Sequence, residues 1–273
     1  LSGLEGWPLT AWRGLLIGGG MLLGWMILSG RQMGADLRQI PTMPFLVIML
    51  ANGGNTMCFN FAVVETSIIV VLTALATVPV LAALLSFMIL GEATTRHTWQ
   101  AIGMTMAGVL IVIFNGEGAL AAPDGSVFLG GFLGVMTAFC IAVVFVVTRR
   151  YPQTPVLLAV SLGTLGTGFI GFVGTTVDEM MAGTLWAVLV MCLLVMPLAW
   201  CLLSLAPRYT APTNVSLLML LEMVLGPFWV WLGTGERPSP MMLVGAAIVL
   251  VTLAIYIIAT ARAPVRLMDR TGR

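Results

Sequence analysis

Glu222 is the only ionisable residue in the run "APTNVSLLMLLEMVLGPFWVWLG" (211–233). If that run is one helix crossing a bilayer, the carboxyl lies about 15 Å from either end, where charge is most costly. Three roles are open to it there. It can be a protonated, hydrogen-bonded structural group, a counter-charge to a substrate ammonium, or the site of a coupling proton. Met219, Gly226 and Trp229 share its helical face, which would suit a pocket with an aromatic wall.

A second polar cluster stands in "LANGGNTMCFN" (50–60). Asn52 and Asn55 are i,i+3 neighbours, and Gly53 and Gly54 beside them permit close backbone approach. Two amides on one face could hydrogen-bond a substrate's carboxylate or amide, or join two helices. Thr77 lies beside Pro79, a proline that frees a backbone carbonyl for a threonine or water to satisfy. Trp200 could stack on an aromatic substrate, although with 8 Trp in the chain most serve as packing or interfacial anchors. Arg13 is the only arginine inside an apolar run, near its outer boundary, where snorkelling to the interface competes with function.

Other chemistry is poorly supplied. The single histidine, His97, lies in a loop beside Glu92 and Arg96, so no histidine-based metal cluster can form. The four cysteines, Cys58, Cys140, Cys192 and Cys201, show no CxxC spacing and suggest neither a disulfide framework nor zinc. No Gly-rich phosphate loop appears, so ATP is not the direct energy source. No basic patch has the density that nucleic acid requires. The sequence therefore implies no enzyme activity, no cofactor and no metal.

The elements that must position these residues follow from composition. The chain has 273 residues, 59% hydrophobic and 8% charged. Soluble domains carry about 25% charged residues, and this chain has too few polar residues to coat one. Nine apolar blocks are read, at 9–28, 44–62, 67–90, 99–114, 126–148, 156–173, 184–205, 211–232 and 239–259. Most are near the ~20 residues needed to span a ~30 Å hydrocarbon core as helix. The expected class is an all-α polytopic membrane protein. The links between blocks, such as "NGEGALAAPDG" (115–125), could not hold a soluble domain.

Charge orients the helices. All twelve basic residues are arginine. Arg31 and Arg38, Arg96, Arg149 and Arg150, Arg208 and the tail Arg262, Arg266, Arg270 and Arg273 occupy alternate loops and the C-terminus. The remaining loops hold Glu5, Glu65, Glu117, Asp124, Asp178, Glu179 and Glu236, with Arg237 alone as a base. By the positive-inside rule the arginine-bearing loops and the C-terminus are cytoplasmic. Abundant Ala and Gly with arginine only point to a bacterial gene, hence the bacterial cytoplasmic (inner) membrane.

Sliding the chain by 144 residues places Thr66 on Thr210, Val80-Leu81 on Val224-Leu225 and Gly91-Glu92 on Gly235-Glu236. Five helices separate equivalent positions, so the second copy would be inverted in the membrane. Inverted repeats meeting at a mid-membrane site are a secondary-transporter architecture. The reading is a first repeat at 1–114, a loop at 115–125, a second, inverted repeat at 126–260 and a basic tail at 261–273. Two five-helix repeats make a ten-helix bundle, so a first helix is expected before Leu1.

The segments "LTAWRGLL" (9–16), "TVPVLAALLSFMILGE" (77–92), "GMTMAGVLIVI" (103–113), "LLEMVLGPFWVWLGTGE" (220–236) and "VGAAIVLVTL" (244–253) resemble the drug/metabolite transporter superfamily. The likeness is to its EamA-type ten-helix branch, with the YddG-like amino-acid exporters nearest in character. The resemblance spans essentially the whole chain and implies export of small metabolites, most naturally amino acids, aromatic or other apolar ones among them. In that family a proline closes the motif of each repeat. Pro79 fits in the first, whereas Met223 holds the equivalent place in the second and Pro227 is the nearest proline. Pro79, Pro227 and Arg13 are accordingly read as gating or structural.

The expected substrate cavity lies between the repeats, lined by the helices at 44–62, 67–90, 126–148, 184–205 and 211–232. Asn52, Asn55, Thr77, Trp200, Met219, Glu222 and Trp229 are its candidate contacts. A multidrug exporter of lipophilic cations, with Glu222 as counter-charge, is the alternative. Phosphorylated substrates are disfavoured, because they call for Lys or Arg at mid-depth. Partners are the bilayer and a small-molecule substrate, with a monomer expected and a dimer as the alternative.

Overall fold

The computed structural model describes residues 7–30, 34, 40–66, 68–92, 94–114, 126–176, 189, 191–234 and 240–262. Among these, every regular element is helical. In chain order they are α1 (Trp7–Ser29), α2 (Thr42–Glu65), α3 (Ile68–Leu75), α4 (Val78–Leu85), α5 (Arg96–Phe114) and α6 (Val127–Arg150). There follow α7 (Val156–Val173), α8 (Met196–Leu205), α9 (Pro212–Thr234) and α10 (Pro240–Arg262). Each apolar block of the sequence falls on one helix or a consecutive pair, although most of 184–190 lies outside the described residues. So do the 115–125 loop and the tail beyond Arg262. Among the described residues, five segments are apolar and long enough to cross a bilayer: Thr10–Ser29, Thr42–Glu65, Val70–Leu90, Phe128–Arg150 and Val156–Val173.

Small residues decide which helices meet. α1 lies along α7, where a Cβ placed on Gly14 would come within 2.2 Å of Gly168 Cα. One turn further along α7, a Cβ on Gly171 would meet the Ala11 nitrogen at 2.7 Å. The glycines of 163–174 are thus a helix-packing face. α2 packs on α6 and α7, and Gly163 admits the Met49 carbonyl, 2.4 Å from where its Cβ would stand. α5 and α10 meet where Gly108 and Gly245 approach each other's backbones. Lipid tails are as apolar as these side chains, so close backbone approach and dispersion replace the hydrophobic drive of a soluble core.

Two apolar clusters result. The larger gathers Ile17, Met21 and Trp25 from α1, Phe45 and Ile48 from α2, Ala138, Ile141 and Phe145 from α6, and Cys192 and Val215. The smaller joins α4, α5, α9 and α10. Its members include Ala76, Ile102 and Val109 and also Leu220, Ala246 and Leu253, which are the same three positions 144 residues later.

Proline acts differently in the two halves. Pro79 offers no N–H to the Leu75 carbonyl. The backbone turns at Ala76–Thr77, between α3 and α4, and the Thr77 hydroxyl donates to the Ala74 carbonyl at 2.6 Å. Beyond α4 a π-helical turn, Ser86–Leu90, ends on Gly91 with φ 68°. α9, by contrast, runs unbroken from Pro212 to Thr234, across Pro227. A second π-helical turn, Met191–Val195, precedes Pro197 and α8.

Candidate functional site

The inward stripe of α1 is built on a spacing of four: Arg13, Ile17, Met21, Trp25. The last three are buried in the central cluster, so Arg13 points the same way, one turn nearer the outer end. Its guanidinium carbon lies 5.8 Å from the centroid of the Phe59 ring on α2. Cys192, in the π-helical turn before α8, lies close enough to share electrostatic contact with it. Half-buried, Arg13 thus has its guanidinium over the α2 ring, a placement open to a binding role as well as to the snorkelling that the sequence alone favoured.

The inward stripe of α2 runs through Phe45, Ile48, Asn52, Asn55, Phe59 and Ala62, all but Phe59 fully buried. Asn52 Nδ2 donates to the Val160 carbonyl at 3.1 Å and to Thr164 Oγ1 at 2.8 Å, both on α7. Both amide hydrogens are committed, so Asn52 ties α2 to α7 beside the Gly53–Gly163 approach. These bonds fit the helix-joining reading of Asn52. Asn55 differs. It is equally buried, and no hydrogen bond to its amide is found among the described residues. It precedes Phe59 by one turn and so lies one level below Arg13.

Asn52→Leu should accordingly cost stability and spare function. Interhelical hydrogen bonds in membranes contribute roughly 0.6–1.7 kcal/mol each. A melting temperature lowered by several degrees in detergent, with solute exchange retained, is expected. Exchange lost at unchanged stability would instead return Asn52 to the ligand site.

The other sequence candidates scatter around the same centre. Thr77 is spent on its own chain break. Trp200 and Met219 are half-buried and pack against the central cluster. Glu222 is exposed on α9, in a stripe with Leu218 one turn before it, while Leu217 and Leu220 turn into the smaller cluster. Its carboxylate is thus not enclosed by the described helices. The side chains of Pro227 and Trp229 lie outside the described residues. No group of three or more His, Cys, Asp or Glu suited to a metal occurs among the described residues.

The end of the bundle where α6 finishes carries a polar network that charge-counting treated only as an orientation signal. Arg149, ending α6, lies 3.7 Å from Glu92, which follows the first π-helical turn. It also donates to the Arg208 carbonyl at 3.2 Å, and Arg208 donates to the Thr154 carbonyl. Nearby, Tyr256 of α10 donates to Asn214 Oδ1 at 2.6 Å and meets Thr98 of α5 at 3.3 Å. The Glu92–Arg149 pair joins residues on opposite sides of the 115–125 loop. Both members are partly exposed, and such pairs contribute about 0–1 kcal/mol, little enough to be broken repeatedly.

Helices of spanning length, glycine-mediated packing and an apolar interior with a few placed polar groups define an all-α, multi-pass membrane protein. Residues 1–114 match the EamA-like transporter family. No curated protein matches the chain. Among solved structures, one described as "Crystal structure of protein" is 16% identical, with a TM-score of 0.77 over 95% of this chain and 90% of its own. At that identity the likeness speaks for the fold.

Proposed function

We propose that this protein is a secondary-active or facilitative transporter that exports small metabolites, amino acids foremost, by alternating access through the centre of the bundle. The EamA-like match over residues 1–114 carries the reading. It is supported by the interior itself, an apolar cluster ringed by α1, α2, α6, α8 and α9 with Asn55 uncommitted within it. The repeat reading is supported by the smaller cluster, where three positions of the first half and their equivalents at +144 pack together. On this reading residues 1–114 and 126–260 are the two inverted halves of a ten-helix transporter. The weak Glu92–Arg149 pair is then a cytoplasmic closure that opens in each cycle. The proposed setting is the bacterial inner membrane, with the C-terminus cytoplasmic and the protein monomeric.

The exposed carboxylate of Glu222 keeps a second reading alive, export of lipophilic cations. Expression in a bacterial host separates the two. Resistance to toxic amino-acid analogues without resistance to cationic dyes is the expected result. The reverse pattern would replace amino acids by drugs as the substrate class, and neither resistance would argue against export.

A further inference from the structure

We infer that Arg13 is an anion-binding residue of the central site, and that the solute it takes is a monocarboxylate with an apolar body. The inference relies on the transport reading for what the site is for, though not for whether it binds. Arg13 is half-buried, on a helix face whose next three positions at the same spacing, Ile17, Met21 and Trp25, are buried. The ion pair found among the described residues joins Glu92 and Arg149, not Arg13. No hydrogen bond to the Arg13 guanidinium is found among the described residues either. Its recorded neighbours are the Phe59 ring and Cys192.

An arginine offers five donors in a planar fork. A ring over its face satisfies part of the charge and leaves the donor edge free. A half-buried guanidinium whose donors have no protein acceptor has room for an acceptor that arrives from outside. Carboxylate geometry matches the fork with two parallel hydrogen bonds. A phosphate dianion would call for more positive charge, and among the described residues the other arginines, Arg96, Arg149, Arg150, Arg208 and Arg262, stand at helix ends or in links. Asn55, one turn below Phe59 on the same stripe, can donate its amide to the same carboxylate or accept from an adjacent ammonium. Leu16 on α1 and the Phe59 ring, both half-buried beside the central cluster, supply apolar surface for the rest of the solute.

Three probes of one shape test this: leucine, 4-methylpentanoate (leucine without its amino group) and 3-methylbutylamine (leucine without its carboxylate). Two readouts are needed, thermal stabilisation of the purified protein in detergent and counterflow in proteoliposomes. Wild type should be stabilised by the first two probes and not by the amine. Arg13→Gln should weaken both carboxylates at least about tenfold, the range of a charge-assisted hydrogen bond. Arg13→Lys should recover part of the loss, since lysine keeps the charge without the fork. If Arg13→Gln does not fold, Phe59→Leu removes the stacked ring and should weaken the same two probes. Carboxylate binding without counterflow would keep the Arg13 site and remove the transport reading. Counterflow that ignores the carboxylate, or survives Arg13→Gln unchanged, would overturn the Arg13 site and leave transport standing.

Discussion

Gly168→Leu will yield no folded monomer. α1 and α7 touch backbone to backbone at this point, and a Cβ on Gly168 would lie 2.5 Å from the Leu15 nitrogen and 2.6 Å from the Gly14 carbonyl carbon. Neither is the movable end of a side chain. To admit even a methyl group the helices must separate, and Ala11–Gly171 and Gly18–Leu165 would then part as well. Overpacking costs about 1–3 kcal/mol where side chains can rearrange and more where backbone must move. A leucine here should exceed the upper figure. Gly166 provides the control: it is on the same helix, with nothing within 4 Å of its would-be Cβ. Gly166→Leu should elute from a sizing column in mild detergent as wild type does, while Gly168→Leu should run as aggregate. A wild-type profile for Gly168→Leu would mean that α1 and α7 are not in this contact.

Glu222→Gln should leave the fold intact and reduce transport at least about tenfold, which corresponds to about 1.4 kcal/mol. Folding is spared because no hydrogen bond or ion pair to Glu222 is found among the described residues, and glutamine keeps its size. Function is at stake because a carboxylate exposed from the middle of a spanning helix costs roughly 2.5–3.5 kcal/mol if it meets lipid. Water, a proton or a cationic solute relieves that cost. If the group carries a coupling proton, the variant still exchanges solute and ignores an imposed pH gradient. If it pairs with an ammonium, the variant keeps the gradient response and binds amines weakly. Wild-type transport across solutes and gradients would remove Glu222 from the mechanism. Glu222→Leu with lowered stability would then mark the residue as structural.

The helices were legible because membrane spans obey a length rule that most of the apolar blocks approach, and the carbonyl freed at Pro79 was legible because proline cannot donate. The π-helical turns at Ser86–Leu90 and Met191–Val195 carry no such signal. Nor does the difference between a proline that breaks its helix, Pro79, and one that does not, Pro227. The site was harder to read. Depth along a run drew attention to Glu222, yet azimuth decides what a side chain meets. The four-residue spacing Arg13–Ile17–Met21–Trp25 held that information and was outweighed by the nearness of Arg13 to the helix end. The sequence left Asn52 open between ligand contact and helix joining, because the partners Val160 and Thr164 lie more than a hundred residues away in the chain.

Counterflow across a reconstituted bilayer tests the transport account most directly. Vesicles containing the purified protein are loaded with unlabelled solute and diluted into a trace of the labelled form. The panel comprises amino acids, simple carboxylates, amines and cationic dyes. The account predicts transient, saturable accumulation of labelled amino acid, absent from protein-free vesicles and unaccompanied by dye. No accumulation of any member above protein-free vesicles, from protein that elutes as a folded monomer, would contradict it.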